Sequence, residues 1–205
     1  MTDLKKLFKE HYQLTNDVFI QELLDNLMFR HVDKNDVIIT EGEMQSEIYF
    51  LIEGVVRGFY FDEKGNEVTD CFAYHPGECI ASDEPMDSVA TISEQALSPC
   101  ELAVLPIHKV YEWLPIYPDV TKIYIASLSH CLKQHRNHKI ALSRYCAENR
   151  YRWMKQTYPE LIHQVKKKYI ASFLNITPQT MSILLRQERM KPMGMSSDVL
   201  YVDDE

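Results

Sequence analysis

The chain has 205 residues, of which 45% are hydrophobic and 25% are charged, the proportions of an ordinary globular protein. This composition excludes a wholly disordered chain, and the lack of any apolar run of about 18 residues excludes a membrane-spanning helix. Residues 1–117 carry 8 basic and 22 acidic side chains, whereas residues 118–205 carry 14 basic and 8 acidic ones. An acidic half followed by a basic half predicts two domains and a polyanionic partner for the second.

Residues 3–29 carry apolar side chains at helical spacing, which predicts helices there. From Asp36 the pattern changes to short β-branched and aromatic runs, separated by turn signals, at residues 37–39, 48–52, 55–61, 68–74 and 100–105. These runs predict an antiparallel roll or sandwich, and the lack of alternating helix-length repeats argues against a doubly wound α/β fold. A short helix is expected over residues 107–114.

The stretch between Pro118 and Tyr158 contains neither Gly nor Pro, which predicts one long helix or two helices joined by the polar segment 133–139. A long exposed helix needs a partner surface, and a dimer seam is the simplest one. We therefore expect a sensor domain over residues 1–117, a dimerisation helix over 118–148 and a further domain over 149–205.

Residues 167–186 have the pattern of a helix-turn-helix, in which two short helices cross steeply. Ala171 supplies the small residue at the crossing, and Asn175 tolerates the left-handed backbone of the turn. Thr177 can cap the second helix, with Pro178 at its first position. The positions expected to face the core are Ile170, Leu174, Ile176, Met181 and Leu184. This set of constraints predicts DNA binding.

The residues that we expect to contact DNA are Lys167, Lys168, Thr177, Gln179, Thr180, Ser182 and Arg186. An amide such as that of Gln179 can read adenine, whereas Arg186 and the lysines are suited to phosphates. Residues 190–205 lack the pattern of a β-hairpin wing, and their acidic end would repel DNA.

Four segments carry a family resemblance: residues 42–57, the turn 75–78 (His-Pro-Gly-Glu), residues 158–161 and residues 168–178. Together they resemble the Crp/Fnr superfamily of bacterial transcription regulators, in particular the subgroup common in Bacteroidetes-type bacteria. The resemblance implies an α+β fold: an N-terminal antiparallel β-roll like a cyclic-nucleotide-binding domain, a long dimerisation helix and a C-terminal winged helix-turn-helix. It also implies a homodimer on a two-fold operator in double-stranded DNA, an effector in the roll, and contact with RNA polymerase.

The effector pocket is expected at Gly77, Glu78, Ser88 and Val89. Relatives that bind cyclic nucleotides carry an Arg about ten residues after their Gly-Glu, where it neutralises the cyclic phosphate. This chain has no Lys or Arg between Gly65 and His108 and many acidic residues there, so we expect an unknown effector that is not a cyclic nucleotide. Arg57 is the basic residue that could reach the pocket from elsewhere. No cysteine precedes Cys71, which argues against the iron–sulfur centre of the oxygen-sensing branch.

Two other classes of function are weighed against a regulator. A ligand-sensing or protein-interaction module of the same fold, without DNA binding, would suit the missing arginines and the acidic tail. An enzyme is not expected, because HExxH, GxSxG, P-loop and GxGxxG motifs are absent. Cys131, His135 and His138 share a helix face, but residues 120–147 contain no carboxylate, and we expect no metal or cofactor. We expect a cytoplasmic protein without a secretory signal, and the five widely spaced cysteines should be reduced and at least partly buried.

Overall fold

The computed structural model describes residues 3–81, 85 and 87–190. Its helices are α1 (Leu4–Tyr12), α2 (Asp17–Asn26), α3 (Ile107–Trp113), α4 (Pro118–Arg144), α5 (Ala147–Thr157), α6 (Leu161–Gln164), α7 (Lys167–Phe173) and α8 (Pro178–Met190). Its strands are β1 (Met28–Val32), β2 (Val37–Ile39), β3 (Glu47–Glu53), β4 (Val56–Phe61), β5 (Glu67–Ala73), β6 (Cys79–Ile80), β7 (Ser93–Ala96) and β8 (Cys100–Pro106). No helix in this part of the chain combines the length and the apolar character that crossing a bilayer requires. The predicted absence of a wing concerns residues 190–205, of which 191–205 lie outside the described residues.

The strands form two four-stranded antiparallel sheets, in the orders β1-β8-β3-β6 and β2-β7-β4-β5. Side chains from the two inner faces, among them Leu51, Val56 and Leu102, make the core between the sheets. The predicted antiparallel roll is therefore confirmed. The sequence pattern does not predict strands β1, β6 and β7. Strand β6 has only two residues, and β7 reads Ser-Glu-Gln-Ala, without an apolar run.

The N-terminal helices cover the outer face of the first sheet. Asn16 caps α2 by accepting from the backbone N–H groups of Val18 and Phe19. The helix prediction for residues 3–29 is wrong at its end, where β1 begins at Met28. The five residues of β1 pair antiparallel with β8, and this long-range pairing overrides the helical spacing of the apolar residues.

Helix α4 runs through the segment 133–139, so the joint predicted there is wrong. The break lies at residues 145–146, between α4 and α5. There the Arg150 guanidinium donates hydrogen bonds to the carbonyls of Leu142 (2.7 Å) and Tyr145 (2.9 Å). These bonds satisfy carbonyls that the end of α4 leaves without intrahelical partners.

The C-terminal helices α5–α8 enclose a second core with Trp153, Phe173 and Leu174 at its centre. This core packs against β5 of the roll. Phe72 and Phe173 make an edge contact with their ring centroids 5.1 Å apart. The Ser172 hydroxyl accepts a hydrogen bond from the backbone N–H of Thr69 (2.9 Å) and lies 3.1 Å from the Glu67 carbonyl, to which it can donate. These contacts hold the helix-turn-helix in a defined position beside the roll.

Candidate nucleic-acid interface and effector cavity

Helices α7 and α8 form the predicted helix-turn-helix. Asn175 adopts the left-handed conformation with φ 49° between the two helices. The Thr177 hydroxyl caps α8 by accepting from the backbone N–H of Thr180 at 3.1 Å. Ala171, Met181 and Leu184 are buried, as the pattern requires. The backbone geometry of the motif thus follows from its local sequence.

The exposed face of α8 presents Gln179, Ser182, Ile183 and Arg186. Ser182 donates its hydroxyl hydrogen bond back to the Pro178 carbonyl at 2.9 Å, and the Thr177 and Thr180 hydroxyls lie 3.0 Å apart. Three of the residues predicted to contact DNA, Thr177, Thr180 and Ser182, therefore have hydrogen-bonding partners within the first turns of α8. Gln179 and Arg186 are two long polar side chains on this face that can reach outward.

The predicted phosphate contacts at the start of α7 are exposed but differ in their surroundings. The Lys167 ammonium donates to the Ile162 carbonyl at 2.5 Å, and desolvation lowers its pKa below the ordinary value. The Lys168 ammonium lies 4.5 Å from the ring centroid of Tyr169. Lys166 is also exposed, so this end of the helix pair carries a basic cluster.

Arg57 does not enter the effector pocket and instead joins the roll to α7. Its side chain is 1% exposed, and its guanidinium stacks on the rings of Phe59 (4.2 Å to the centroid) and Tyr169 (3.8 Å). It donates to Glu67 at 2.5 Å and to Gln95 at 2.8 Å. No pattern within one segment indicates this role, because the partners of Arg57 lie on four elements: β4, β5, β7 and α7.

The turn 75–78 places Glu78 at the end of a cavity of about 90 Å³ between the roll and α4. Gly77 has φ +92°, and a Cβ there would lie 2.9 Å from the His11 ring, so the turn requires glycine. The Tyr12 hydroxyl donates to the Gly77 carbonyl at 2.7 Å, which ties α1 to the same turn.

Glu78 is buried, which alone would raise its pKa, but hydrogen bonds hold that pKa below the ordinary value. Its carboxylate accepts from the backbone N–H groups of Tyr74 (2.6 Å) and His75 (3.0 Å). The other carboxylate oxygen lies 3.0 Å from the His130 imidazole on α4. Glu78 thereby links the turn to the long helix.

Glu94 on β7 is the second acid in this cavity, and the sequence analysis did not single it out. Desolvation by complete burial, reinforced by the negative charge of Asp70, raises the pKa of Glu94 to about 8. Neither lysine nor arginine occurs among the described residues that line the cavity. Among the described lining residues, the groups that could carry positive charge opposite a cyclic phosphate are the imidazoles of His11, His130 and His135, and that of His130 already lies 3.0 Å from Glu78.

The other two predicted pocket residues lie on a different segment. Val89 pairs with Met44 in an isolated β-bridge, and the Ser88 carbonyl accepts from the Gln45 backbone N–H at 3.1 Å. Gly77 and Glu78 are thus at one place, and Ser88 and Val89 at another beside residues 43–45. Neither Ser88 nor Val89 is among the described residues lining the Glu78 cavity.

The histidines of α4 point in different directions. His138 stacks on Phe173 with centroids 3.8 Å apart, inside the C-terminal core, whereas His135 lies 3.7 Å from Asp70. Within residues 3–81 and 87–190 no group of three or more His, Cys, Asp or Glu side chains is arranged to hold a metal ion. The expectation that all cysteines are at least partly buried is wrong, because Cys131 and Cys146 are exposed.

Comparison with known proteins agrees with this architecture. Residues 29–115 match the family model of the cyclic nucleotide-binding domain. The chain is similar to the structure of FixK2 from Bradyrhizobium japonicum, with a TM-score of 0.68 and 16% identity over 82% of this chain and 89% of that one. It is also similar to the c-di-GMP responsive global regulator CLP from Xanthomonas campestris, with a TM-score of 0.70 and 14% identity over 85% and 92% of the two chains. For a transcriptional regulator of the CRP family from Thermus thermophilus the TM-score is 0.65, at 14% identity over 78% and 84%.

The chain has the fold of the Crp/Fnr regulators. The predicted resemblance and the fold class are thus confirmed, whereas the Bacteroidetes-type subgroup stays a prediction. No curated protein sequence matches the chain. In the Crp/Fnr fold of this chain, the Glu78 cavity lies between the roll and α4, and the helix-turn-helix packs on β5 of the same roll.

Proposed function

We propose that the protein is a DNA-binding transcription regulator that acts as a homodimer and responds to a small-molecule effector other than a cyclic nucleotide. The observation that carries this proposal is the α7–α8 pair, which buries Ala171, Met181 and Leu184 and leaves Gln179 and Arg186 outward on the second helix. A recognition helix in the major groove uses such side chains for base edges and phosphates. The basic cluster at Lys166–Lys168 supplies further positive charge for the DNA backbone.

Exposed apolar side chains on α4 support the homodimer. Ile125 is 57% exposed, Leu128 38% and Leu132 70%, and their spacing of i, i+3 and i+7 forms one stripe along the helix. A second copy that packs its α4 on this stripe would cover all three residues. The same two-fold axis would then relate two helix-turn-helix motifs, which suits a two-fold operator.

The acids of the Glu78 cavity support an effector that is not a cyclic nucleotide. Arg57, the basic residue that could have neutralised a phosphate, is held by Glu67 and by the rings of Phe59 and Tyr169. We expect isothermal calorimetry with cyclic AMP and with cyclic GMP to give no binding heat. A micromolar dissociation constant for either nucleotide would contradict this part of the proposal.

DNA binding is tested by selecting bound sequences from random duplexes and then titrating salt against the selected site. We expect enrichment of A·T-rich half-sites related by a two-fold axis, and an affinity that falls steeply with salt. If no sequence is enriched and no duplex binds even at low salt, the regulator proposal fails. The chain would then be a ligand-sensing or protein-interaction module of the same fold.

The homodimer is tested by sedimentation of the wild type and of Leu132→Asp, which places a charge in the proposed seam. We expect a dimer for the wild type at micromolar concentration and a monomer for the variant. Gln156→Asp, on an exposed position of α5 away from the stripe, is the control and should remain dimeric. A wild-type monomer at that concentration would refute the proposed dimer.

A further inference from the structure

A second and larger cavity, of about 280 Å³, lies between the outer face of the first sheet and the helices α2, α3 and α4. The sheet contributes Phe50 and Leu105 to its wall, α2 contributes Phe19, α3 contributes Trp113 and α4 contributes Ile123. It is thus bounded by four separate parts of the fold, and along α4 it borders the exposed residues Leu128 and Cys131. Protein interiors are close-packed and hold few voids larger than a water molecule, so a space of this size is unusual.

The wall of this cavity carries no formal charge among the described residues. Its polar groups are the hydroxyls of Tyr124 and Ser127 and the thiols of Cys79 and Cys131. The Ser127 Oγ is buried beside the Tyr12 side chain. The space is therefore apolar over most of its surface.

This cavity differs chemically from the neighbouring one at Glu78. Ser127 and Cys131 border both spaces, since α4 runs past each of them, but Glu78 and Glu94 line only the smaller one. Apolar cavities are poor sites for water, because water there lacks polar partners, and they bind small apolar molecules instead. Charged molecules are excluded, because a charge would lose its hydration without gaining a partner.

We propose that this cavity is a binding site for a small, uncharged hydrophobic molecule. The cavity volume is close to the lower end of the range of small-molecule sites, and it is lined by aromatic and aliphatic side chains as such sites are. Leu128 is shared between this cavity and the proposed dimer stripe, and failure of probe binding would leave the separate tests of dimerisation and DNA binding unaffected.

The test compares 1-octanol with octanoate and octylammonium, which share one chain length and differ in charge. Each is titrated by calorimetry and by displacement of the neutral fluorescent probe N-phenyl-1-naphthylamine from the full-length protein. We expect the probe and octanol to bind, and both ions to bind at least ~tenfold more weakly. Failure of both the probe and octanol to bind would overturn the proposal, as would equal binding of the ions.

Substitution locates the site on this wall. Ser127→Leu fills the cavity, and we expect it to weaken probe binding by about tenfold or more without lowering the melting temperature. Ser143→Leu is the matched control, the same change on an exposed position of α4, and should bind like the wild type. If Ser127→Leu does not fold, Ile123→Phe narrows the same wall and is expected to weaken binding likewise. Unchanged binding in a folded cavity variant would overturn the proposal.

Trp113 provides an independent readout, because it lines the cavity and the chain has only two tryptophans. We expect energy transfer from tryptophan to the bound probe, and a strong loss of that transfer in Trp113→Phe. Transfer that persists unchanged in this variant would place the probe elsewhere and contradict the proposed site.

Discussion

The roll and the helix-turn-helix place their ionisable side chains in opposite ways. The roll buries Glu78 and Glu94 beside α4, whereas the helix pair exposes Arg186 and the cluster Lys166–Lys168 on its surface. A buried carboxyl group interacts with a ligand inside the cavity, whereas an exposed basic group attracts a partner that approaches from solvent. The proposed partners differ in the same way: a polyanion outside the helix pair, and an effector other than a cyclic nucleotide inside the roll.

Arg57 is the exception that connects the two regions. It is a base buried among the strands of the roll, and it stacks on Tyr169 of the helix pair. Its removal would affect the roll and the position of α7 together.

The largest effect is expected from Arg57→Ala, which should lower the free energy of unfolding by about 3 kcal/mol, because removing this buried side chain leaves a cavity and ends its contacts with Phe59 and Tyr169. The control is Arg30→Ala, which removes an exposed ion pair with Glu47 and should cost about 1 kcal/mol or less. Both are measured by urea denaturation. Equal effects of the two variants would show that Arg57 does not join the regions as described.

Glu94→Gln should change how stability depends on pH. The pKa of Glu94 is about 8 in the folded chain, whereas its ordinary value, expected in the unfolded chain, is 4.5. Between pH 4.5 and pH 8 the folded state therefore holds a proton that the unfolded state has lost. The contribution of Glu94 to the free energy of unfolding is fully present below pH 4.5. It is lost as pH rises through 8, by up to about 1.4 kcal/mol per pH unit.

The measurement is urea denaturation of the wild type and the variant at several pH values from 6 to 9. Glu94→Gln should remove this loss, whereas Glu63→Gln, on an exposed turn, should retain it. A wild type and a Glu94→Gln variant with the same pH dependence would show that Glu94 ionises normally.

Gln179→Ala tests base reading by the helix pair. We expect a loss of about 1–3 kcal/mol at the selected site and little change on unrelated duplexes, because a bidentate base contact is lost. Fluorescence anisotropy with both kinds of duplex measures this difference. An equal loss on every sequence would assign Gln179 to the DNA backbone instead.

Arg186→Ala should have the smallest effect, of about 1 kcal/mol, and should weaken all duplexes alike while reducing the salt dependence of binding. Lys167→Ala is expected to act in the same sense, provided that its ammonium leaves the Ile162 carbonyl to meet a phosphate. Salt titration of the three proteins checks both. A loss confined to the selected site would mean that Arg186 reads bases.

The helix-turn-helix shows what the sequence determined by itself. Ala171, Asn175, Thr177 and Pro178 each meet a requirement set by their nearest neighbours: a close approach, a left-handed turn, a cap and a fixed first φ angle. Such requirements are local, so residue types at fixed spacing identify the motif. The β-branched runs and the glycine at the 75–78 turn were predictable for the same reason.

Only the tertiary structure decided where β1 and β7 pair, where α4 ends and which charges are buried. Strand β7 exists because β2 and β4 lie on either side of it, although its own residues are mostly polar. Arg150 stabilises the end of α4 from the next helix, and Glu94 and Arg57 acquire their surroundings from strands and helices far along the chain. Pairing, burial and cavity volume depend on contacts between distant segments, and no pattern within one segment records them.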